Sequence, residues 1–558
     1  MARDDNRQKS LNVEVMEGII AVLTNLTAKT PEAALDAAEE QLTVLRDKLK
    51  AVANQQPADV SDVYRMIKSD LTSISENLKT ANSKAEKTEN VEEDGVIYAP
   101  ASALAICPLD GRYSSIGDDL ACYFSEYALV EYRVHVEVEW LIYLVMNIHS
   151  EILDTIEDKE EVASRIATIS DQFDINDFSR VKEIEDITKH DVKACELFVA
   201  ECLKEMGLEN LVSYVHIGCT SEDITNLAYG CMISDFLDNY YIPLVEDAVE
   251  KIEAFAIENK DVPMLAHTHG QPATPTSFGK EMEVFAYRLR EQLERLKNFD
   301  VKGKFNGATG NYAAISVAFP DVCWPEEAKC FVEQYIGLKF SPVTAQIEPH
   351  DFVADLMDLV RHINNIIIDF DSDMWLYISM FYGKLKVVKN EVGSSTMPHK
   401  VNPIKFENSR GNSEIGNALC SVLSDTLPKS RLQRDLSDST IQRNIGIVFG
   451  YSVQAIKEAM KGLERTSVNS EKMAEDLDST WAVLGEAIQT VLRKNGNPNA
   501  YNALKELTRG KEVDAELMQE FILSLDIPDE DKERLLDLTP AKYVGYASQI
   551  AERYANET

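Results

Sequence analysis

Apolar residues recur at helical spacing through most of this chain, and strand-like alternation is scarce. Phe278, Met282, Phe285, Leu289, Leu293 and Leu296 are spaced 4, 3, 4, 4 and 3, which predicts one amphipathic helix over 278–296. Residues 350–380 read differently. Phe352, Val353, Leu356, Leu359, Val360, Ile363, Ile366, Ile367, Phe370, Met374 and Ile378 are apolar around much of a helical circumference. A helix buried on most sides belongs at the centre of a bundle or an oligomer. Near the N-terminus Leu11, Val15, Ile19, Val22 and Leu26 form an amphipathic stripe spaced 4, 4, 3 and 4. Pro31 opens a second helical stretch with Leu42, Leu45 and Leu49 on one face, Pro57 breaks it, and Val63–Leu78 offers a third. Ala81–Gly95 is almost wholly polar and charged, as a linker would be. From Tyr98 onward helical stretches alternate with loops marked by Pro, Gly and Ser-Thr clusters. The pattern predicts an all-α fold without internal repeats.

Composition sets outer limits on this picture. At 558 residues the chain is too long for one core, so about two to four domains are expected. The longest apolar runs, such as Ile366–Ile368, fall far short of the roughly 20 residues needed to cross a bilayer. The opening Met-Ala-Arg-Asp-Asp mixes acids with its base and no apolar segment follows, so a cytoplasmic location without a targeting peptide is expected. Nine cysteines lie between Cys107 and Cys420 with no C-x-x-C pair, the pattern of buried thiols and not of disulfides or zinc ligands. The net charge of -38 argues against nucleic acid as a partner.

Three segments carry candidate chemistry. Gly393-Ser394-Ser395-Thr396-Met397-Pro398-His399-Lys400-Val401-Asn402-Pro403 is too rich in Gly, Ser and Pro to be helix. It suits a lid that closes over an anion, or else an ordinary surface turn. Thr268-His269-Gly270-Gln271-Pro272-Ala273-Thr274-Pro275 stands just before the helix expected at 278–296. A histidine held there is a reasonable general acid or base, though a lone loop histidine is also commonly structural. Thr220-Ser221-Glu222-Asp223-Ile224-Thr225-Asn226, preceded by His216, reads by itself as a helix N-cap.

Taken together, the three resemble the signature regions of the fumarase/aspartase superfamily, in the same order and at similar separations. Within it the adenylosuccinate lyases of the bacterial long-chain type are the most similar. The resemblance starts at Pro108-Leu109-Asp110-Gly111-Arg112-Tyr113 and runs through Lys189-His190-Asp191-Val192-Lys193. It continues in Gln346–Asp351 and Gln433–Thr440 and ends at Leu504–Lys511, covering about residues 100–558. His399 sits where fumarases and aspartases usually have Gly and argininosuccinate lyases usually Gln. The first 95 or so residues have no counterpart, and read either as a packing appendage or as a regulatory segment.

The resemblance implies a three-domain all-α fold with a central long-helix bundle: an extension and linker over 1–97, then domains over 98–209, 210–463 and 464–558. It implies elimination of fumarate from a succinyl-substituted amine on a nucleotide, in purine biosynthesis. By the same resemblance Ser394 is the general base, with Ser395 as the alternative, and His269 the general acid. Arg112, Tyr113, Lys189, His190, Asp191, Thr220, Ser221, Gln346, Ser395, Lys400, Asn408, Arg434, Ser439, Thr440, Ile441, Gln442 and Arg443 would hold substrate. His216 and Glu348 would support them, Glu348 by orienting His269. Basic residues are scarce overall, so their gathering in matched segments suits a ligand with a phosphate and two carboxylates. Lys189 replaces the neutral residue expected before His-Asp, and either strengthens anion binding or points to solvent. No metal or organic cofactor is implied, because the His and acidic residues lack ligand spacing. The family assembles as homotetramers whose active sites draw on three subunits. The rival readings are another lyase of the superfamily, or a non-catalytic protein that kept the fold.

Overall fold

The periodicities of the sequence become long helices, each started by a local device. The computed structural model describes residues 104–386, 397, 400–498 and 513–555, all within the unit Ala101–Thr558. The expectations for the helices and linker of 1–97, for Ser394, Ser395 and His399, and for 504–511 lie outside the described residues.

Helix α1, Glu126–Asn147, starts at Ser125, whose Oγ accepts the Ala128 N–H at 3.1 Å. Its apolar run from Val134 to Val145 is buried around most of the helix. Helix α2, Asp191–Glu205, starts at His190, whose Nδ1 accepts the Lys193 N–H at 3.2 Å. Helices α3, Ser221–Phe236, and α4, Ile242–Glu258, run on through a π-helical turn at Leu237–Tyr241. Helix α5, Phe278–Lys297, is the one expected at 278–296. Ser277 Oγ accepts the Lys280 N–H at 3.2 Å, and all six residues of the expected face are buried.

Helix α6, Asp351–Ser379, spans 29 residues, about 43 Å at the α-helical rise. Ten of the eleven apolar residues expected inward are buried, all but Ile378. Its circumference is less uniform than the sequence suggested. Asp351, Asp355, Asp358, His362, Asn365 and Asp369 form an exposed polar stripe spaced 4, 3, 4, 3 and 4. Helix α7, Ile404–Thr426, mixes the two: Phe406, Cys420 and Leu423 are buried. It also buries Ser409, Asn412 and Ser413 and leaves Ile404, Ile415 and Val422 exposed. Helix α7 packs along both α6 and the later helix α9, Ile445–Glu464, and α4 packs along α5.

Among the described residues, strands occur as four two-stranded pairs of two or three residues each. One hydrophobic cluster extends from Leu109 to Met473, and a second, smaller one joins Leu484 to Leu535. The fold is all-α, as expected.

Candidate active site

The His269 segment is a double hairpin. Strands β1, Pro263–Met264, and β4, Thr276–Ser277, pair outside β2, His267–Thr268, and β3, Gln271–Pro272. His269 and Gly270 are the two turn residues, with φ of 55° and 70°. Positive φ at both positions is the type I′ geometry, whose twist matches the flanking strands. Glycine adopts it freely, whereas histidine holds it against a strain of about 1–2 kcal/mol. The His269 ring is exposed. No hydrogen bond or ion pair joins it to another described residue.

The Thr220–Asn226 segment does begin a helix. Asp223 Oδ2 accepts the Thr220 N–H at 2.8 Å, the reaching-back half of a capping box. Its Oδ1 lies 2.7 Å from Lys304 Nζ and accepts the Asn306 N–H at 3.0 Å. Both partners of this ion pair are fully buried. Asn226 bonds the backbone of Lys304 through both ends of its amide. The cap reading therefore fits Asp223, while its neighbour has another task. Glu222 Oε2 lies 2.8 Å from Arg434 Nη1.

Arg434 belongs to a cluster drawn from three parts of the chain. Its Nη1 is also 3.3 Å from Asp438 Oδ2, and Asp438 lies in the first turn of the short helix α8, Ser437–Gln442. His350, which precedes α6, faces Asp438 through Nε2 at 3.3 Å and Gln442 through Nδ1 at 3.2 Å. The Gln346 N–H donates to Gln433 O at 3.3 Å, and the Gln346 amide donates to Ala308 O at 3.0 Å. Glu348 accepts the His350 N–H at 2.7 Å and the Ser341 hydroxyl at 3.2 Å. Burial pushes the Glu222 carboxyl up, opposed chiefly by the charge of Arg434. Glu222, His350 and Asp438 bring three potential ligand atoms within 4.8 Å of one another. Arg434 already supplies the positive charge that a metal ion would bring there.

A second group surrounds the start of α2. Arg133, buried in α1, places Nη1 2.9 Å from Asp191 Oδ2. Arg443 approaches the same oxygen at 3.5 Å and Glu126 Oε2 at 2.7 Å. Burial works against the Asp191 charge, but Arg133, the Val192 N–H and Arg443 outweigh it and hold the carboxyl below its ordinary value. His190 is exposed beside it, and Lys189 is exposed in a left-handed conformation, 3.6 Å from Asp186.

A third group lines a cleft of about 630 Å³ that includes Arg112, Tyr113, Asn412, Ile415 and Tyr451. Asn408 donates to the Tyr113 hydroxyl at 3.0 Å and accepts from Asn412 and Gln454 at 3.0 and 3.2 Å. His216, at φ 59°, faces buried Glu137 of α1 at 2.5 Å. Lys400 is exposed.

The structure thus brings Thr220, Ser221, Gln346, Glu348, Arg434 and Ser439–Arg443 into one neighbourhood, joins Asp191 to Arg443, and joins Tyr113 to Asn408 beside Arg112 in the cleft. It does not attach His269 or Lys400 to any of these groups, and Glu348 contacts His350 and Ser341. Sequence reasoning missed His350, Asp438, Glu222 and Arg133. Arg133 and Glu137 carried a signal, as opposite charges four residues apart on either side of Val134 and Val136, next to the apolar run from Trp140. The His350–Asp438 pairing, 88 residues apart, had none.

Residues 111–414 match the family model described as lyase, and 430–544 match the one described as adenylosuccinate lyase C-terminal. The adenylosuccinate lyase of Escherichia coli (strain K12) is 44% identical over 453 residues, 81% of this chain and 99% of that one. Those of Vibrio cholerae and Haemophilus influenzae are 43% and 44% identical over 450 residues each, 80% of this chain and 98% of each relative. Among solved structures, a fumarate lyase from Mesorhizobium sp. BNC1 superposes with a TM-score of 0.62 at 18% identity, over 79% of this chain and 98% of that one. The 3-carboxy-cis,cis-muconate lactonizing enzyme from Pseudomonas putida gives 0.62 at 18%, over 80% and 96%. These two speak for the fold, and the curated relatives for the branch. With the arginine-bearing 434–443 segment inside one matched region and His269 inside the other, the chain belongs to the adenylosuccinate lyase family.

Proposed function

We propose that this chain eliminates fumarate from adenylosuccinate, giving AMP, and from SAICAR, giving AICAR. Ser394 takes the proton from the succinyl carbon next to a carboxylate, the electron pair forms the C=C bond of fumarate, and the C–N bond breaks. His269 gives its proton to the departing nitrogen. The weakly acidic carbon needs its developing aci-carboxylate charge stabilised, and a serine needs its alkoxide stabilised to act as base, the task assigned to Lys400 on the same loop. The observation that carries this reading is the segment 434–443. It sets two arginines beside the starts of α2 and α3, where each already pairs with carboxylates of the chain. A phosphate and two carboxylates call for guanidinium groups so placed.

The exposed His269 turn and the exposed Ile404, Ile415 and Val422 of α7 fit a homotetramer in which a neighbouring copy completes each site, and a cytoplasmic location goes with the proposed metabolic role. The domain limits 98–209, 210–463 and 464–558 belong to the same proposal.

Fumarate release from adenylosuccinate by the purified chain, beside a Ser394→Ala variant, tests the reading. Release by the parent and its loss in the variant are expected. A folded, tetrameric parent that releases nothing sinks the substrate assignment. Activity surviving in the variant moves the base to Ser395. Mass in solution should be four times the 62.6 kDa of the chain, and an active monomer would overturn the shared site.

A further inference from the structure

The side chain of His350 has no part in the chemistry proposed above, yet it sits where three segments of the candidate site meet. It is 1% exposed and holds a φ of 62°, a conformation that histidine adopts at some cost. Its own backbone N–H donates to Glu348, the carboxylate expected to orient the general acid. Its ring reaches the other way, to Asp438 and Gln442 at the two ends of α8.

The donor and acceptor roles follow from the partners. A carboxylate only accepts, so Nε2 carries a proton towards Asp438. The Gln442 amide nitrogen lies 3.2 Å from Nδ1 and 3.3 Å from Nε2 and only donates, so with Nε2 protonated towards Asp438 the acceptor is Nδ1. One ring thereby ties down both ends of α8, and that turn carries Ser439, Thr440 and Ile441 between them. Asp438 in turn lies 3.3 Å from Arg434, which pairs with Glu222 next to Thr220 and Ser221. A shift of the imidazole reaches the candidate nucleotide contacts on α8, Arg434 and the start of α3 through no more than two intervening side chains.

We propose that His350 is a positioning residue for the nucleotide: it registers α8 and Arg434 against the start of α3 without touching substrate. This rests on the reading of 434–443 as the nucleotide-binding segment. The role requires a side chain that donates at one end and accepts at the other. Glutamine satisfies this requirement and leucine does not.

Full-length His350→Leu and His350→Gln are compared with the parent in two assays, steady-state fumarate release from adenylosuccinate and calorimetric titration with AMP. His350→Leu should raise KM and the AMP Kd at least tenfold while kcat falls less than threefold. His350→Gln should bring both constants back to within threefold of the parent. A folded His350→Leu enzyme with parental KM and Kd overturns the proposal. So does a fall in kcat alone, or a His350→Gln variant no better than His350→Leu. If His350→Leu does not fold, isosteric Asp438→Asn should raise both constants at least threefold, and parental values there overturn the proposal equally. A parent that neither releases fumarate nor binds AMP removes the nucleotide reading and this proposal with it. A competent parent beside an unaffected variant removes the positioning role alone.

Discussion

The hairpin that carries His269 and the cluster around Arg434 both lie in segments that match the family, but in opposite physical surroundings. His269 is exposed on a two-residue turn, with no described partner. Arg434 is held between Glu222 and Asp438, with His350 and Gln442 packed behind them. The cluster is therefore organised by its own chain before any ligand arrives, and its charges are costly to disturb. The hairpin fixes a backbone and leaves the chemistry of its side chain to whatever meets it. One region combines stability with function, and the other separates them.

The largest effect expected from this contrast is at the hairpin. His269→Asn keeps a residue that tolerates the left-handed conformation and removes the acid, so turnover should fall about 10²- to 10⁴-fold. The thermal midpoint should stay where it is, since an exposed side chain without partners contributes little to folding. Fumarate release and a melting curve on the same sample check both halves. A large drop in the midpoint would break the comparison.

Arg434→Met should lower stability along with activity. Two carboxylates, one of them with a side chain only 5% exposed, would lose their counter-charge, at a cost of about 3–5 kcal/mol. Urea unfolding measures that cost directly. An unchanged midpoint would show that Glu222 and Asp438 are protonated or solvated in the variant, and that the cluster is less committed than its geometry suggests.

A smaller effect should appear at His216 and Glu137, which share the buried character of the cluster without its arginine. Burial pulls the His216 imidazole towards neutrality, but the hydrogen bond and charge of Glu137 outweigh it and raise its pKa above the ordinary 6.5. Burial pushes the Glu137 carboxyl up as well, against the pull of His216. Both groups therefore hold protons more tightly in the folded chain than in the unfolded one. Their joint contribution is present at low pH and is lost as pH rises through the raised values. The stability advantage of the parent over Glu137→Gln should shrink as pH rises from about 6.5, the ordinary imidazole value, into the alkaline range. An advantage that grows over that range would reverse the assignment.

The contrast also explains what could be read from the residues in advance. The α5 face and the apolar positions of α6 were legible because burial at helical spacing is a local property of sequence. The His269 segment stands out in the sequence as a candidate, but its double hairpin is not legible there. Two prolines and a glycine mark a turn without saying which residues take positive φ. The polar stripe of α6 went unremarked because the apolar residues dominated the reading. Most elusive was His350. Its partners lie 88 and 92 residues away, and a pairing of that kind is set by tertiary packing alone. Lys304 was missed for the same reason: nothing in Val301–Gly307 sets it apart from Lys302, and its partner Asp223 reads locally as a cap.

Lys304 has a use that follows from its surroundings. Its ammonium is fully enclosed, paired with Asp223 and bonded to Gly307 O, and both partners belong to the packing around the start of α3. An amine-reactive reagent has no route to it while the chain stays folded. It becomes accessible only when that region opens. Among lysines that mostly stand in solvent, its rate of acylation is a built-in clock for core opening. Peptide mass spectrometry reads that clock without any mutation.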